Sequence, residues 1–238
     1  MLLIAHRSGP YTFPEQTIHS GREALSFGAD MVEIDTRLTA DGKAAMTHDP
    51  NLLRVFGVDK GINDVTEAEF RTFRHAADPA FSSHMIADVF RCGMKPLLIH
   101  VKESKALPAL LDVIAEYDYA QHVTIGVSDV ASVKMIKEKG PGIKILSFSP
   151  SEESIPDMIE AGVDYVRLWE GWLNPENVAL VKNSPAKLWV MSGYISKKNV
   201  GYPSEEDLKM ILSYEPDGLL INEIPYAKKV LAEMEKER

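Results

Sequence analysis

Two histidines and an arginine stand near the ends of predicted strands in the first fifty residues. His6 and Arg7 follow the short apolar run Leu2–Ala5, and His48 follows a second short run at residues 43–47. Imidazole is the usual general acid or base near neutral pH. A guanidinium binds phosphate oxygens in a bidentate way. These residue types indicate chemistry on an anionic substrate.

Two acidic residues lie between them, in the strand-like run Met31–Asp35. Its period of two places Glu33 and Asp35 on the same face. Two carboxylates side by side repel each other unless a cation compensates them. A salt bridge to Arg37 or Arg7 is one interpretation. We favour a metal site, because oxygen ligands at positions i and i+2 of one strand suit a hard divalent cation.

The overall composition narrows the class of protein. The chain has 238 residues and a net charge of −9, which argues against nucleic acid as the main partner. The single cysteine, Cys92, excludes an intrachain disulfide framework. The start of the chain is too short for a secretory signal, and no apolar run approaches a membrane span. We therefore expect a soluble, cytoplasmic protein that acts on a small molecule.

Strand-like and helix-like segments alternate along the whole chain. Such alternation predicts parallel pairing, and eight strand-plus-helix units in this length are typical of a single-domain α/β fold, the (β/α)8 barrel. A doubly wound open sheet is the alternative, although no G-x-G-x-x-G turn follows the first strand. The predicted strands are Leu2–Ala5, Met31–Asp35, Pro96–Val101, Val123–Val127, Lys144–Phe148, Tyr165–Leu168, Leu188–Met191 and Gly218–Ile221.

One long segment interrupts this alternation after the second strand. Residues 50–80 are less regular and contain one helical pattern, which starts near Thr66. A segment this long is unusual in a compact domain unless it is functional. We therefore expect one domain over residues 1–238, with a small insertion at about 50–80 over the active-site mouth. In such a barrel the active site lies at the carboxyl ends of the strands.

Five blocks of the N-terminal half resemble, in order and spacing, the signature of the glycerophosphodiester phosphodiesterase family. Weaker similarity continues through the sixth, seventh and eighth units, up to the run at residues 216–225. The five blocks are His6-Arg7-Ser8-Gly9, Pro14-Glu15-Gln16-Thr17, residues 28–35, Thr39-Ala40-Asp41-Gly42 and residues 48–54.

The resemblance implies a TIM barrel that hydrolyses glycerophosphodiesters to glycerol 3-phosphate and an alcohol, with one divalent metal ion such as Mg²⁺ or Ca²⁺. It also implies roles for seven residues. By position these are His6 and His48 as the acid/base pair, Arg7 and Lys102 as phosphate ligands, Glu33 and Asp35 as metal ligands, and Glu15 as a supporting residue.

Three positions depart from the family pattern. Ser8 stands where the family usually has glycine and Gln16 where it usually has asparagine, both as small or close polar replacements. His100 replaces a glutamate that is a metal ligand in the family. Neutral imidazole brings no negative charge and prefers Mn²⁺ or Zn²⁺ to Ca²⁺. His100 is therefore expected to bind a different metal, to contact phosphate, or to weaken the site; we favour the first.

The substrate's second alcohol is not identified by the sequence. Arg167 and Trp169 share a face of the sixth strand and Trp189 lies in the seventh, so these three residues are candidates for the substrate pocket, with a core position as the alternative for Trp189. A phosphodiesterase for another headgroup or for a lysophospholipid-like ester is the second functional hypothesis. A non-catalytic phosphoester-binding barrel, motivated by His100, is the third.

Overall fold

Eight parallel strands close into a ring in the computed structural model, which describes residues 1–236 and the side chains of all of these except residues 195 and 235. The ring order is β1-β2-β5-β6-β7-β8-β9-β10, and β1 pairs in parallel with both β2 and β10. The predicted (β/α)8 barrel is thus confirmed. The strands are β1 (Leu2–Ala5), β2 (Met31–Leu38), β3 (Ala44–Met46), β4 (His84–Met85), β5 (Leu97–Val101), β6 (Val123–Val127), β7 (Lys144–Ser147), β8 (Tyr165–Trp169), β9 (Lys187–Met191) and β10 (Gly218–Ile221).

Helices on the outside of the barrel connect successive strands. Several begin with a side-chain cap: Asp129 accepts a hydrogen bond from the Ser132 N–H at the start of α6, and Ser204 does the same for Asp207 at the start of α9. The helices are α1 (Ile18–Ser26), α2 (Leu53–Phe56), α3 (Glu67–Phe70), α4 (Ile86–Arg91), α5 (Leu107–Glu116), α6 (Val130–Lys139), α7 (Ile155–Glu160), α8 (Pro175–Lys182), α9 (Glu205–Ser213) and α10 (Ile224–Lys236). None of the helices in the described part of the chain is both long and apolar enough to span a membrane.

The alternation of side chains along each strand sorts the core into two layers. In β2, Val32 and Ile34 pack outward against the helices. The intervening Glu33 and Asp35 line the cavity at the barrel mouth. In β5, Leu98 belongs to the cluster inside the barrel, and His100, two residues further on, lines the same cavity. The carboxyl ends of the strands therefore bring polar residues together at the mouth, above the apolar core inside the barrel.

The excursion, residues 50–80, packs as a small unit of its own. It contains two four-residue helices, α2 and α3, rather than the single helix predicted from Thr66, because Leu52 to Phe56 make one further helical turn that ends at Gly57. The antiparallel strands β3 and β4 join it to the edge of β2. Its apolar side chains form a separate cluster together with one residue each of β3 and β4. The members are Ala45, Leu52, Val55, Phe56, Ile62, Val65, Phe70 and Met85.

We expect Phe70→Ala to open the excursion while the barrel stays folded. Phe70 is 0% exposed, and its ring contacts Phe56 edge to face with the two centroids 5.4 Å apart. Removing a buried Phe costs about 3–5 kcal/mol. Amide hydrogen exchange should therefore accelerate in residues 52–76 and not at Ile99 in β5. Phe90→Ala, in the cluster between barrel and helices, is the matched control that should lower global stability. Equal loss of protection throughout after Phe70→Ala would contradict a separate unit.

Candidate functional site

The turn after β1 is left-handed at three successive residues. The backbone φ angles of Arg7, Ser8 and Gly9 are 49°, 70° and 65°. This conformation lets the Arg7 N–H donate a 2.7 Å hydrogen bond to Glu33 Oε2 on β2. The turn thus presents the side chains of His6 and Arg7 to the barrel mouth.

Glu33 and Asp35 are nearly inaccessible to solvent, each 1% exposed. Gln16 holds Asp35 from two sides: its Nε2 donates to Asp35 Oδ2 at 2.6 Å, and its Oε1 accepts from the Asp35 N–H at 3.2 Å. The salt-bridge interpretation of this pair is wrong for Arg37, whose guanidinium lies 3.9 Å from Glu103 and donates to the His48 carbonyl at 2.8 Å. Arg7 meets Glu33 through its backbone.

The pKa values of the two carboxyl groups shift in opposite directions. Burial and the neighbouring charge of Asp35 raise the pKa of Glu33 well above its ordinary value. Burial also opposes ionisation of Asp35, but Lys102, 3.6 Å away, and a hydrogen bond from His100 hold the pKa of Asp35 below its ordinary value. Without a further cation, Glu33 is therefore the harder of the two carboxyl groups to ionise.

His6 is anchored by a residue from the opposite end of the chain. Its Nδ1 lies 2.7 Å from Asn222 Oδ1, and the Asn222 Nδ2 donates to the Val200 carbonyl at 3.3 Å. Because the amide nitrogen is used by Val200, the oxygen faces His6, and Nδ1 of His6 carries the proton. Burial, aided by the charge of Arg7, lowers the pKa of His6 to about 4. His6 is therefore neutral at pH 7, with Nε2 free to exchange a proton.

His48 is also held as a neutral imidazole. Its Nδ1 donates to Asp49 Oδ1 at 2.6 Å, while Nε2 accepts from Arg7 Nη2 at 2.8 Å and lies 3.2 Å from Lys102 Nζ. Burial, together with these two cations, lowers the pKa of His48. The lone pair of Nε2 is thus directed at the two cations predicted to bind phosphate.

A closed ring of polar contacts joins Arg7 and His48. Arg7 Nη1 lies 3.4 Å from Glu15 Oε2, and Glu15 Oε1 accepts from Arg54 Nη2 at 2.6 Å. Arg54 Nε also donates to Asp49 Oδ2 at 2.5 Å, and Asp49 holds His48. Glu15 therefore lies beside Arg7 rather than beside the carboxylate pair. Arg54 ties the excursion to this ring.

His100 stands between the carboxylate pair and an aromatic ring. Its Nδ1 lies 3.2 Å from Asp35 Oδ1, and its ring stacks on Phe148 with centroids 3.7 Å apart. Burial lowers the pKa of His100 to about 3, so it is neutral at pH 7. Ligand atoms of Glu33, Asp35 and His100 lie within 4.8 Å of one another, a spacing that could hold a metal ion.

These groups line one cavity of about 330 Å³ at the barrel mouth. Arg167 and Trp169 line it as well, on the wall formed by β8. Trp189 is not one of the described residues that line this cavity. It is 0% exposed, packs against Tyr165 with ring centroids 4.4 Å apart, and lies two residues below Met191, the β9 residue that reaches the cavity. The core interpretation of Trp189 is therefore the right one.

The sequence around these residues matches the model of one protein family. The model of the glycerophosphoryl diester phosphodiesterase family matches residues 6–137, which is more than half of the chain and includes both histidines, the carboxylate pair and Lys102. The chain belongs to this family.

Curated relatives and solved structures agree with this assignment. A glycerophosphodiester phosphodiesterase of Caldanaerobacter subterraneus subsp. tengcongensis is 26% identical over 157 residues, or 60% of this chain and 65% of that protein. The Mus musculus lysophospholipase D GDPD3 is 28% identical over 145 residues, or 55% of this chain and 44% of that protein. The matched region thus spans less than two thirds of either relative.

The fold likeness extends over almost the whole chain. An Oleispira antarctica phosphodiesterase, whose structure contains the product sn-glycerol-3-phosphate, superposes with a TM-score of 0.82 at 18% identity and covers 98% of this chain and 97% of that one. A glycerophosphodiester phosphodiesterase of Thermotoga maritima gives 0.77 at 21% identity, covering 97% and 98%. At these identities the likeness shows the shared barrel.

Sequence reasoning missed three residues that shape the site. Gln16 appeared only as a departure from the family block, yet it clamps Asp35. Asn222 fixes the orientation of His6 from 216 positions away. Phe148 supports His100. The one available signal was strand position: Asn222 follows the eighth predicted strand and Phe148 ends the fifth, and residues at that end of every strand face the mouth.

The left-handed turn predicts that Ser8→Gly stabilises the protein. Ser8 has a φ of 70°, and its buried hydroxyl has no hydrogen-bond partner. The left-handed conformation costs a non-glycine residue about 1–2 kcal/mol, against about 0.5–1 kcal/mol for the extra freedom of unfolded glycine. We expect the melting temperature to rise by about 2–4 °C. Ser8→Ala, which removes the hydroxyl but keeps the Cβ, should recover less than half of this gain. A lower melting temperature for Ser8→Gly would contradict the strain argument.

Proposed function

We propose that the chain hydrolyses glycerophosphodiesters to glycerol 3-phosphate and an alcohol in the cavity at the barrel mouth. The observation that carries this proposal is the pair of neutral histidines, His6 and His48, each with Nδ1 tied to a partner. Nε2 is the unprotonated nitrogen of both rings, and in His48 it faces Arg7 and Lys102. Arg7 and Lys102 line the same cavity. They supply the positive charge that a phosphodiester and its transition state need.

The residues present fit a divalent metal ion. Glu33 and Asp35 are buried side by side, and burial together with the charge of Asp35 raises the pKa of Glu33, so a cation at the pair would favour the ionised form of Glu33. A divalent ion held there would polarise the phosphate oxygens and stabilise negative charge during the reaction. We propose Glu33 and Asp35 as its ligands.

His100 bears on the identity of that ion. With Mg²⁺ or Ca²⁺, both of which prefer oxygen, His100 would keep its hydrogen bond to Asp35 and stay outside the ligand set. With Mn²⁺ or Zn²⁺ it would exchange that hydrogen bond for a bond to the ion. We propose the second arrangement, because the ligand atoms of all three residues already lie within 4.8 Å.

The protein's own groups account for the proton transfers. Arg7 and Lys102 hold the phosphate oxygens, and one histidine takes a proton from the nucleophile while the other protonates the departing alkoxide. Asp49 stabilises positive charge on His48, and Asn222 accepts the Nδ1 hydrogen bond of His6. The nucleophile is either water or a hydroxyl of the substrate's own glycerol; a cyclic phosphate seen by ³¹P NMR would identify the latter.

The excursion is proposed to form part of the cavity mouth, within a single domain that spans the chain. Arg54 of α2 bonds both Glu15 and Asp49, so this segment is fixed beside the acid/base pair.

A lysophospholipid-like diester is the second candidate substrate, since a relative 28% identical over 145 residues is named a lysophospholipase D. Comparing glycerophosphocholine with lysophosphatidylcholine as substrates separates the two.

Replacement of either histidine should abolish turnover. We expect His6→Ala and His48→Ala each to lower kcat by at least about 100-fold with glycerophosphocholine and Mg²⁺, Ca²⁺, Mn²⁺ or Zn²⁺, because acid/base catalysis contributes about 10²–10⁴-fold. The matched control is His122→Ala, since the His122 ring lies beside Lys95 and not at the cavity. Circular dichroism checks folding. Full activity of either variant would refute the acid/base assignment, and tight binding by the parent without turnover would favour a phosphoester-binding barrel.

Metal content provides an independent measurement. Glu33→Gln and Asp35→Asn should lose the bound ion after dialysis against each divalent metal, as measured by elemental analysis, whereas Glu116→Gln on the exposed side of α5 should retain it. His100→Glu adds a carboxylate and should raise affinity for Mg²⁺ and Ca²⁺ relative to Zn²⁺ by about tenfold or more. An unchanged metal preference in His100→Glu would show that residue 100 is not a ligand.

A further inference from the structure

Arg167 is a buried cation on the wall of the cavity opposite the carboxylate pair. Its strand, β8, is four positions from β2 in the ring of eight, so the two strands face each other across the barrel. The Arg167 side chain lines the cavity, and the residue is only 3% exposed. Neither the proposed acid/base pair nor the proposed metal site requires a positive charge at this position.

The Arg167 guanidinium has no anionic partner within residues 1–236. Its Nε and Nη1 are buried and make no hydrogen bond. Its contacts are the aromatic rings of Trp169, Phe148 and Trp172, whose centroids lie 4.1, 5.1 and 5.9 Å from Cζ. Burial lowers the pKa of Arg167 to about 9, so the group stays protonated at neutral pH.

A buried charge without a partner is costly, and it persists where a ligand supplies the missing charge. The guanidinium fork matches the oxygens of a carboxylate or a phosphate. The diester phosphate does not require it, because Arg7 and Lys102 stand with His48 on the other side. Phe148 is in contact with both places, since the His100 ring stacks on it and the Arg167 Cζ lies 5.1 Å from its centroid.

We propose that Arg167 binds a second anionic group of the substrate, a carboxylate or a phosphate monoester, carried by the alcohol that is released. This inference rests on the proposed hydrolysis of glycerophosphodiesters. The glycerol half of such a diester carries no charge besides the shared phosphate, so the second anion belongs to the other alcohol. Trp169 and Trp172 form apolar walls that exclude water around the ion pair and strengthen it.

Three diesters of sn-glycerol 3-phosphate test this inference. Their second alcohols are glycerol, glycerate and glycerol phosphate, which differ mainly in one anionic group. We expect the parent to prefer at least one anionic diester over the glycerol diester by about 10- to 100-fold in kcat/KM, mostly through KM, since a hydrogen-bonded ion pair of this kind contributes about 1.5–3 kcal/mol. Which anionic diester is preferred identifies the group.

Arg167→Met should reduce this preference to about one, and Arg167→Lys, which keeps the charge without the fork, should give an intermediate value. Arg91→Met is the matched control, because Arg91 is exposed on α4 and pairs with Asp88. It should keep the full preference. Thermal unfolding confirms that each variant is folded.

The two proposals fail in different ways. Equal kcat/KM of the parent for all three diesters, or a preference that survives in Arg167→Met, would overturn the role of Arg167 and leave the hydrolytic function intact. Hydrolysis of none of the three would overturn the function. Calorimetric titration of the same diesters would then decide the role of Arg167, through tighter binding of an anionic diester to the parent than to Arg167→Met.

Discussion

Two carboxyl groups buried next to each other are the constraint on which the site depends. Glu33 and Asp35 lie two residues apart on β2, each 1% exposed. Three neighbouring segments compensate them: the left-handed turn gives the Arg7 N–H, the loop before α1 gives Gln16, and the end of β5 with the residue after it gives His100 and Lys102. Arg7 and Ser8 adopt the left-handed conformation in the same turn that presents this N–H to Glu33.

The cavity that results has two walls of different character. One wall holds the carboxylate pair with its donors, and the ligand atoms of Glu33, Asp35 and His100 there are spaced closely enough to hold a metal ion. The opposite wall holds a guanidinium surrounded by aromatic rings, where a negative charge is missing. A diester with a second anion would supply that negative charge, so the same molecule could complement the Arg167 wall and place its phosphate at the carboxylate wall. This complementarity orients the substrate as well as binding it.

Local regularities of the chain were enough to predict the barrel and most of the polar residues at its mouth. The bounds of β1, β6 and β10 follow from apolar runs, and the period of two in β2 places Glu33 and Asp35 on one face. Contacts that exist only after ring closure were beyond such reasoning. Asn222 reaches His6 because β10 pairs with β1, and Trp189 lies in the core because its depth in the barrel, one layer below Met191, is set by the stagger of all eight strands.

His100 and Arg167 are connected through Phe148, which contacts both. A neutral imidazole stacks flat on that ring with an angle of 9° between the planes, which a glutamate side chain at the same place would not do. Gly126 leaves room for the ring, since a Cβ there would meet it at 2.2 Å. The imidazole of His100 therefore adds no negative charge to the carboxylate wall and supports the aromatic ring that flanks Arg167. The proposed metal site and the proposed anion site thus share one aromatic side chain.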